Sequence, residues 1–302
     1  MKNKLRPLQV VGVVDSEGMF FIAAYKREDR GIRRYVYSLE FKVTQMHYSR
    51  ELLYKLQEFF GCGRVVIDNK LMGGYKFVIT DLKEVEEKVL PFFDKYNLLT
   101  SKYLDYEVFR KAILMIKDKG GITEQVFNEI NMLREKCNKK RDIKEIFEFS
   151  RDHSTSDKIT KEWLVGFIEG DGSFQFNIGK SIYISCEIAQ SKGRRPLLEA
   201  IKEYFKAGSV KPKLNKGYDI KELLNSRDTH RLVISGRKIL EEKIIPMFKE
   251  LELYSIKGED FKDWVKLIEK YKSGDHKIEG GLKEMLKIKE GMNKGRPKRN
   301  NS

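Results

Sequence analysis

The chain has 302 residues, long for one core and comfortable for two domains. With 40% hydrophobic and 11% aromatic residues it can build packed cores, which excludes low-complexity disorder for most of its length. Sixty Lys+Arg against 45 Asp+Glu give a net charge of +15, which favours a polyanionic partner, nucleic acid first. Three scattered cysteines, Cys62, Cys137 and Cys186, form neither a disulfide framework nor a zinc spacing, so an intracellular, reducing compartment is expected. The four histidines make no HExxH pattern, and no apolar run approaches the roughly 20 residues of a membrane span. The start, MKNKLRPLQ, has no secretory apolar core.

In chain order, Pro7 is well placed for the first turn of a helix that runs through "VVGVVDSEG" (Val10 to Gly18) and stops at Gly18. "MFFIAAYKR" then alternates with period two, so Phe20, Ile22 and Ala24 face a core. "RYVYSLEFKVTQ" returns as a second strand, and "SRELLYKLQEFFG" is an amphipathic helix closed by glycine. "GRVVID" with "GYKFVIT" reads as a second hairpin, followed by two more helices.

The whole plan then recurs. Thr160 starts a helix through "LVGFIEGDG" (Leu164 to Gly172), and "SFQFNIGK", "IYISCEIAQ", "RPLLEAIKEYFKAG", "SVKPK" and "HRLVIS" follow in the same order. Phe174, Phe176 and Ile178 are the inward residues of the first of these strands. Gly12 and Gly166 are 154 residues apart, as are Glu17 and Asp171. Pro91/Pro246 and Lys102/Lys257 are 155 apart, and Gln45/Gln190 are 145 apart. These pairs, in one order along the chain, indicate a duplicated domain with changed loop lengths. The expected fold is α+β: two αββαββα repeats, each with a four-stranded antiparallel sheet, joined by a helical linker. The expected boundaries are residues 1–122 and 159–272 for the repeats, 123–158 for a charged linker belonging to neither copy, and 273–302 for a basic tail. The last ten residues read first as a frayed basic end; the alternative is that Lys294, Arg296, Lys298 and Arg299 offer extra phosphate contacts.

Asp15 and Glu17 end one motif helix, and Glu169 and Asp171 end the other. The helix dipole disfavours carboxylates at a C-terminus, so a bound cation is the expected compensation. Gly12 and Gly166 cost helix stability unless two helix backbones approach closely there. Side-by-side packing of the two helices at these glycines brings the acid ends together. A divalent metal then relieves their repulsion, and Mg²⁺ suits carboxylates plus a substrate phosphate. Two carboxylates, a metal and a DNA phosphate are the parts of metal-assisted phosphodiester hydrolysis.

The nonapeptide pair resembles the LAGLIDADG motif of homing endonucleases, and the chain resembles the single-chain, two-repeat, intron-encoded kind over nearly its whole length. The Lys-x-x-Asp-Phe/Tyr element and the "MNKGR" stretch share in the resemblance, whereas Val at the first motif position and Ser16 depart from the usual Leu and Ala. The resemblance implies that Glu17 and Asp171 are the catalytic acids and bind divalent metal, helped by the backbone carbonyls of Ser16 and Gly170. Mg²⁺ is the expected ion, with Mn²⁺ or Ca²⁺ able to substitute in binding. Gln45 and Gln190 match positions that order water or metal near the scissile phosphates. Lys102 and Lys257 match basic residues beside the active centre, suited to transition-state charge or water activation. Asp105 and Asp260 are expected to brace the same helices.

The resemblance further implies that each sheet is a saddle lying in the DNA major groove. Alternation then assigns the outward side chains. In the first copy these are Met19, Phe21, Ala23, Tyr25, Arg27, Arg34, Ser38, Glu40, Lys42, Arg64, Val66, Asp68, Lys76, Val78 and Thr80. In the second they are Ser173, Gln175, Asn177, Lys180, Tyr183, Ser185, Glu187, Lys211, Lys213, Thr229, Arg231 and Ser235. Two saddles of about one helical turn each imply double-stranded DNA of roughly 20 bp, and the unlike faces imply an asymmetric target. The implied activity is a staggered double-strand cut with 3′ overhangs that drives intron mobility, by a monomer in a mitochondrion or other organelle. A maturase that binds intron RNA and assists splicing is the alternative.

Overall fold

The computed structural model describes residues 4–138, 141–179, 181–212 and 229–296. The first repeat contains α1 (Pro7–Glu17), β1 (Gly18–Asp29), β2 (Ile32–Met46), α2 (Arg50–Phe60), β3 (Arg64–Asn69) and β4 (Gly74–Ile79). Short helices α3 (Leu82–Glu84) and α4 (Leu90–Lys95) follow, then α5 (Lys102–Asp118) and α6 (Glu124–Arg134). Helix α7 (Ile143–His153) crosses to the second repeat. That repeat contains α8 (Lys161–Asp171), β5 (Gly172–Ile178), β6 (Ile182–Ser191), α9 (Arg195–Phe205), β7 (Ser209–Pro212) and β8 (Thr229–Ser235). It closes with α10 (Arg237–Ile239), α11 (Ile245–Glu250), α12 (Lys257–Ser273) and α13 (Glu279–Glu290). No described helix is long and apolar enough to cross a membrane.

Both sheets are antiparallel and share one strand order, β1-β2-β4-β3 and β5-β6-β8-β7. Arg30 and Gly31 both have positive φ (50° and 77°), the two-residue turn whose twist matches a hairpin. The expected inward alternation holds for Phe20, Ile22, Ala24, Phe174 and Phe176, all buried, and Ile178 is half-buried. The same aromatic box lies under each sheet. Phe20 packs on Phe93, Tyr106 and Phe109, and Phe174 packs on Phe248, Phe261 and Trp264, with ring centroids 5.2–5.6 Å apart. A π-helical turn precedes each proline-bearing helix, at Val85–Val89 and Leu240–Ile244. Pro91 and Pro246 lack the N–H that an α-helix needs there, and the widened turn absorbs the break.

Helices α1 and α8 are buried on almost every side. Val10, Val11, Val13 and Val14 have no exposed surface, nor do Leu164, Val165 and Phe167. Such a helix shows no amphipathic stripe because it is core all round. Gly12 and Gly166 form the contact. A Cβ at Gly12 would lie 2.1 Å from the Trp163 carbonyl oxygen, and one at Gly166 would lie 2.0 Å from that of Gln9. The two repeats therefore meet backbone to backbone, as expected.

Residues beyond α5 and α12 bond back to the sheets in the same way in both halves of the chain. The Asn138 backbone N–H donates to Asp105 (2.9 Å) and its side chain to the Phe20 carbonyl (3.2 Å), while Arg141 reaches Asp105 at 3.1 Å. Asn293 repeats this with Asp260 (3.1 Å) and Phe174 (2.9 Å), and Arg296 reaches Asp260 at 2.9 Å. Both asparagines have positive φ, near 55°. Each repeat thus ends in a helix plus an Asn-Lys-x-Arg latch that satisfies an edge-strand carbonyl and shields that edge. Arg296, one of the tail's candidate phosphate contacts, is bound by Asp260 and Asp263. The Lys294 side chain, Lys298 and Arg299 lie outside the described residues.

Gly12→Ala or Gly166→Ala should cost about 3 kcal/mol or more, since backbone cannot yield to the new methyl. Gly280→Ala, in open space, should cost nothing. Thermal and urea unfolding of the three variants checks this. Asn138→Ala and Asn293→Ala should each cost about 1–2 kcal/mol in the same assay, by loss of equivalent bonds.

Candidate active centre at the junction of the two motif helices

Asp15 and Glu169 share the motif-helix ends with Glu17 and Asp171, and the structure gives them a separate job. Asp15 is fully buried and accepts from the backbone N–H of Leu99 (2.9 Å) and of Thr100 (3.0 Å), the Thr100 hydroxyl (2.6 Å) and the Trp163 indole N–H (2.8 Å). Glu169 accepts from the backbone N–H of Tyr254 and of Ser255 and from the Ser255 hydroxyl. Burial pushes both carboxyls above their usual range, and these donors pull back. Compensation therefore comes chiefly from amide, hydroxyl and indole donors, with the Lys257 charge adding to it at Glu169. Their partners lie just before α5 and α12, so the two acids fix where those helices begin.

That placement sets the two lysines. Lys102, first residue of α5, donates to the carbonyls of Val14 (3.1 Å) and Ser16 (2.7 Å). Lys257, first residue of α12, donates to those of Ile168 (3.0 Å) and Gly170. Each ammonium caps the negative end of a motif helix. The Ser16 and Gly170 carbonyls, expected as metal ligands, are thus held by lysines here. Burial, and next the Arg194 charge, brings Lys102 down to about 8, and burial lowers Lys257 as well.

Glu17 and Asp171 converge above this cap. The ends of α1 and α8 abut so closely that a Cβ on Gly170 would lie 2.4 Å from Ser16 Oγ and 2.7 Å from Glu17 Cγ. Burial, followed by the charge of Glu17, raises Asp171 to about 6. Gln190 Nε2 donates to Asp171 Oδ2 at 2.5 Å. Gln45 sits half-buried at the matching end of β2, and among the described residues it makes no such bond to Glu17. No cluster of three or more His, Cys, Asp or Glu among the described residues could hold a metal. Two converging carboxylates nevertheless fit Mg²⁺, which keeps waters and takes the rest of its oxygen ligands from a substrate phosphate.

Sequence reading missed Arg194. Its guanidinium lies 3.4 Å from Gln190 Oε1 and 3.3 Å from Ser101 Oγ, across the repeat boundary. Ser49 holds the equivalent place in the first repeat and accepts from the Ile256 N–H at 3.2 Å. Because the two residues differ in type, comparing the repeats gave no signal. Thr100 and Ser255, both hydroxyl residues 155 apart, were a usable signal for the Asp15 and Glu169 anchors.

The strand registers place the expected outer-face residues as alternation required. Met19 pairs with Lys42, Phe21 with Glu40, Ala23 with Ser38 and Arg27 with Arg34. Lys42 and Arg64 flank Val78, and Thr44 and Val66 flank Lys76. Ser173 pairs with Glu187, Gln175 with Ser185 and Asn177 with Tyr183. Lys211 pairs with Arg231, Ser191 with Thr229 and Ser185 with Ser235. Tyr25, Arg27, Arg34, Asn177, Tyr183, Lys211 and Ser235 are exposed. Three positions are covered: Val78 is 1% exposed, Ser185 has no exposed surface and Ala23 is buried. Neighbouring strands and long side chains close over short ones, so Val78 presents almost no surface. Asp68 lies at a register shift in β3 and pairs with Lys76, and Thr80 sits just past β4. Lys180 and Lys213 lie outside the described residues.

Two equivalent sheets over a backbone-tight helix pair ending in acids define a two-repeat LAGLIDADG protein. The LAGLIDADG endonuclease model matches residues 10–113 and 164–268, and the chain belongs to that family. It is 30% identical to the probable intron-encoded endonuclease Cox1-I1b of Schizosaccharomyces pombe, over 86% of this chain and 63% of that one. It is 26% identical to the uncharacterized mitochondrial protein RF1 of Saccharomyces cerevisiae, over 95% of this chain and 59% of that one. The chain thus spans about three-fifths of the length of these curated relatives. Among solved structures it is similar to the I-SmaMI LAGLIDADG homing endonuclease bound to cleaved DNA, with a TM-score of 0.80, 27% identity and coverage of 98% and 99%. I-SmaMI bound to uncleaved DNA target in the presence of calcium ions also gives a TM-score of 0.80.

Asp15→Ala should cost about 3 kcal/mol, because it strands two backbone N–H groups and an indole N–H in the core. Trp163→Phe, which removes the indole donor and part of the buried ring, should cost about 2–3 kcal/mol. Urea unfolding followed by far-UV circular dichroism measures both.

Proposed function

We propose that the chain is a site-specific double-strand DNA endonuclease, dependent on a divalent metal, that promotes mobility of the intron encoding it. The observation that carries this reading is the meeting of Glu17 and Asp171 at two abutting helix ends between two sheets. The DNA-bound states of I-SmaMI and the intron-encoded relatives support it.

Glu17 and Asp171 would hold divalent metal, Mg²⁺ first, through carboxylate oxygens. Bound metal supplies Lewis acidity and a lowered pKa for bound water at the scissile phosphates. Lys102 and Lys257 hold the helix ends rigid and set positive charge beside the place where phosphate charge develops. Gln190 fixes the orientation of Asp171, and Gln45 lies free to turn toward Glu17 or a water. Arg194 adds a second cation on the Asp171 side alone. The outer faces of the two sheets lie in the major groove of roughly 20 bp of duplex, one sheet per helical turn. The cut is staggered with 3′ overhangs. A mitochondrial relative supports residence in a mitochondrion.

Incubation with the DNA spanning the intron insertion point should give linear product with Mg²⁺ and none with EDTA. Glu17→Gln and Asp171→Asn should each abolish cutting while gel-shift binding survives. Failure of the wild-type chain to cut any member of a large randomised duplex library sinks the proposal.

A further inference from the structure

Most outer-face residues differ between the two repeats, yet one kind of arrangement recurs. Gln45 pairs with Tyr75, and Lys76 is the next residue of β4. Gln190 pairs with His230, and Arg231 is the next residue of β8. Lys76 and Arg231 are 155 residues apart, the offset of the flanking anchors, so they occupy one position in the fold. Each is a cation one step from the strand end that borders the acids.

Each is also held by carboxylates on the same face. Lys76 Nζ lies 3.6 Å from Glu40 and 3.4 Å from Asp68, and Lys42 adds a contact to Glu40 at 3.1 Å. Arg231 Nη1 lies 3.1 Å from Glu187 Oε2, whose other oxygen accepts from Ser185 Oγ at 3.0 Å. The acids come from different positions in the two repeats: Glu40 corresponds to Ser185, and Lys42 to Glu187. Only the held cation is common. Arg27, Arg34 and Lys211, by contrast, are exposed, as phosphate contacts are.

A cation half-sunk in a sheet and steadied by carboxylates is poorly placed to follow a mobile phosphate. It is well placed to read a base edge. In the major groove guanine offers two acceptors, O6 and N7, where adenine offers one acceptor beside a donor that repels a cation. We infer that Lys76 and Arg231 are symmetry-related guanine readers, and that the otherwise asymmetric target carries a G·C pair at matching positions in the inner part of its two half-sites. The contacted guanines lie on opposite strands, because the repeats are related by an approximate two-fold axis. Glu40, Asp68 and Glu187 are positioning residues that hold the readers and take no base themselves.

This inference rests on the outer faces being the DNA-binding surface, so its test should not require cleavage. Full-length protein carrying Glu17→Gln is used to select binders from a duplex library of roughly 20 randomised pairs. The expected result is guanine enriched at two symmetry-related inner positions. Lys76→Met should erase the preference in one half-site only, and Arg231→Met in the other, each by roughly ten- to hundredfold. Glu187→Gln should weaken discrimination at the Arg231 position and leave the Lys76 position sharp. Selected sites with no guanine bias at a matching pair of positions overturn the inference, as does a bias that both Met variants leave intact. Sequence-specific binding with no cutting by the wild type counts against the endonuclease reading and leaves this one standing.

Discussion

Everything in this molecule is arranged around one contact, the place where the backbones of α1 and α8 touch at Gly12 and Gly166. No side chain intervenes, so the separation of the two helices is set by main-chain van der Waals radii rather than by rotamers. That rigidity carries to the helix ends. Glu17 and Asp171 inherit a fixed spacing, and the two sheets are placed relative to each other because β1 and β5 each leave directly from a motif helix. A glycine in mid-helix and a valine run are both poor helix formers. Burial on every face makes up the difference, so the least helical-looking sequence becomes the centre of the fold.

The second layer is a division of labour among four acids. Asp15 and Glu169 have become fasteners for the loops before α5 and α12, and those loops present Lys102 and Lys257 to the carbonyl ends of α1 and α8. The lysines offset the helix dipoles that would otherwise repel Glu17 and Asp171. Trp163 ties the two halves once more, donating from the second repeat to Asp15 in the first. Symmetry is broken because Arg194 stands where the first repeat has Ser49, so the two acids do not sit in equal fields.

Sequence alone reached the duplicated plan, the inner faces of the strands, the helix contact and the acid pair. Each of these repeats at a constant offset or follows a backbone period. It did not reach the partners of Asp15 and Glu169, which are chiefly backbone N–H groups some 85 residues away and leave no residue pattern. It read residues 123–158 as a linker and 273–302 as a tail from their charged composition. Asn138 to Arg141 and Asn293 to Arg296 nevertheless keep the 155-residue offset. Alternation named the outward residues correctly and misjudged which are covered, because period two reports direction and not the height of the neighbours. Val78 and Ser185 show that difference.

The two latches also have a bearing on how the protein is made. Asn138 closes onto Phe20, 118 positions earlier in the chain, and Asn293 onto Phe174, 119 positions earlier. At usual translation rates, on the order of ten seconds separate the emergence of each edge strand from that of its asparagine. During that interval β1, and later β5, presents an open row of amides and carbonyls on the ribosome. Duplication has therefore doubled the period in which a nascent strand must avoid pairing with a stranger. Pairing of an open edge with a strand of another chain is the misfolding route that this architecture exposes, once for each repeat.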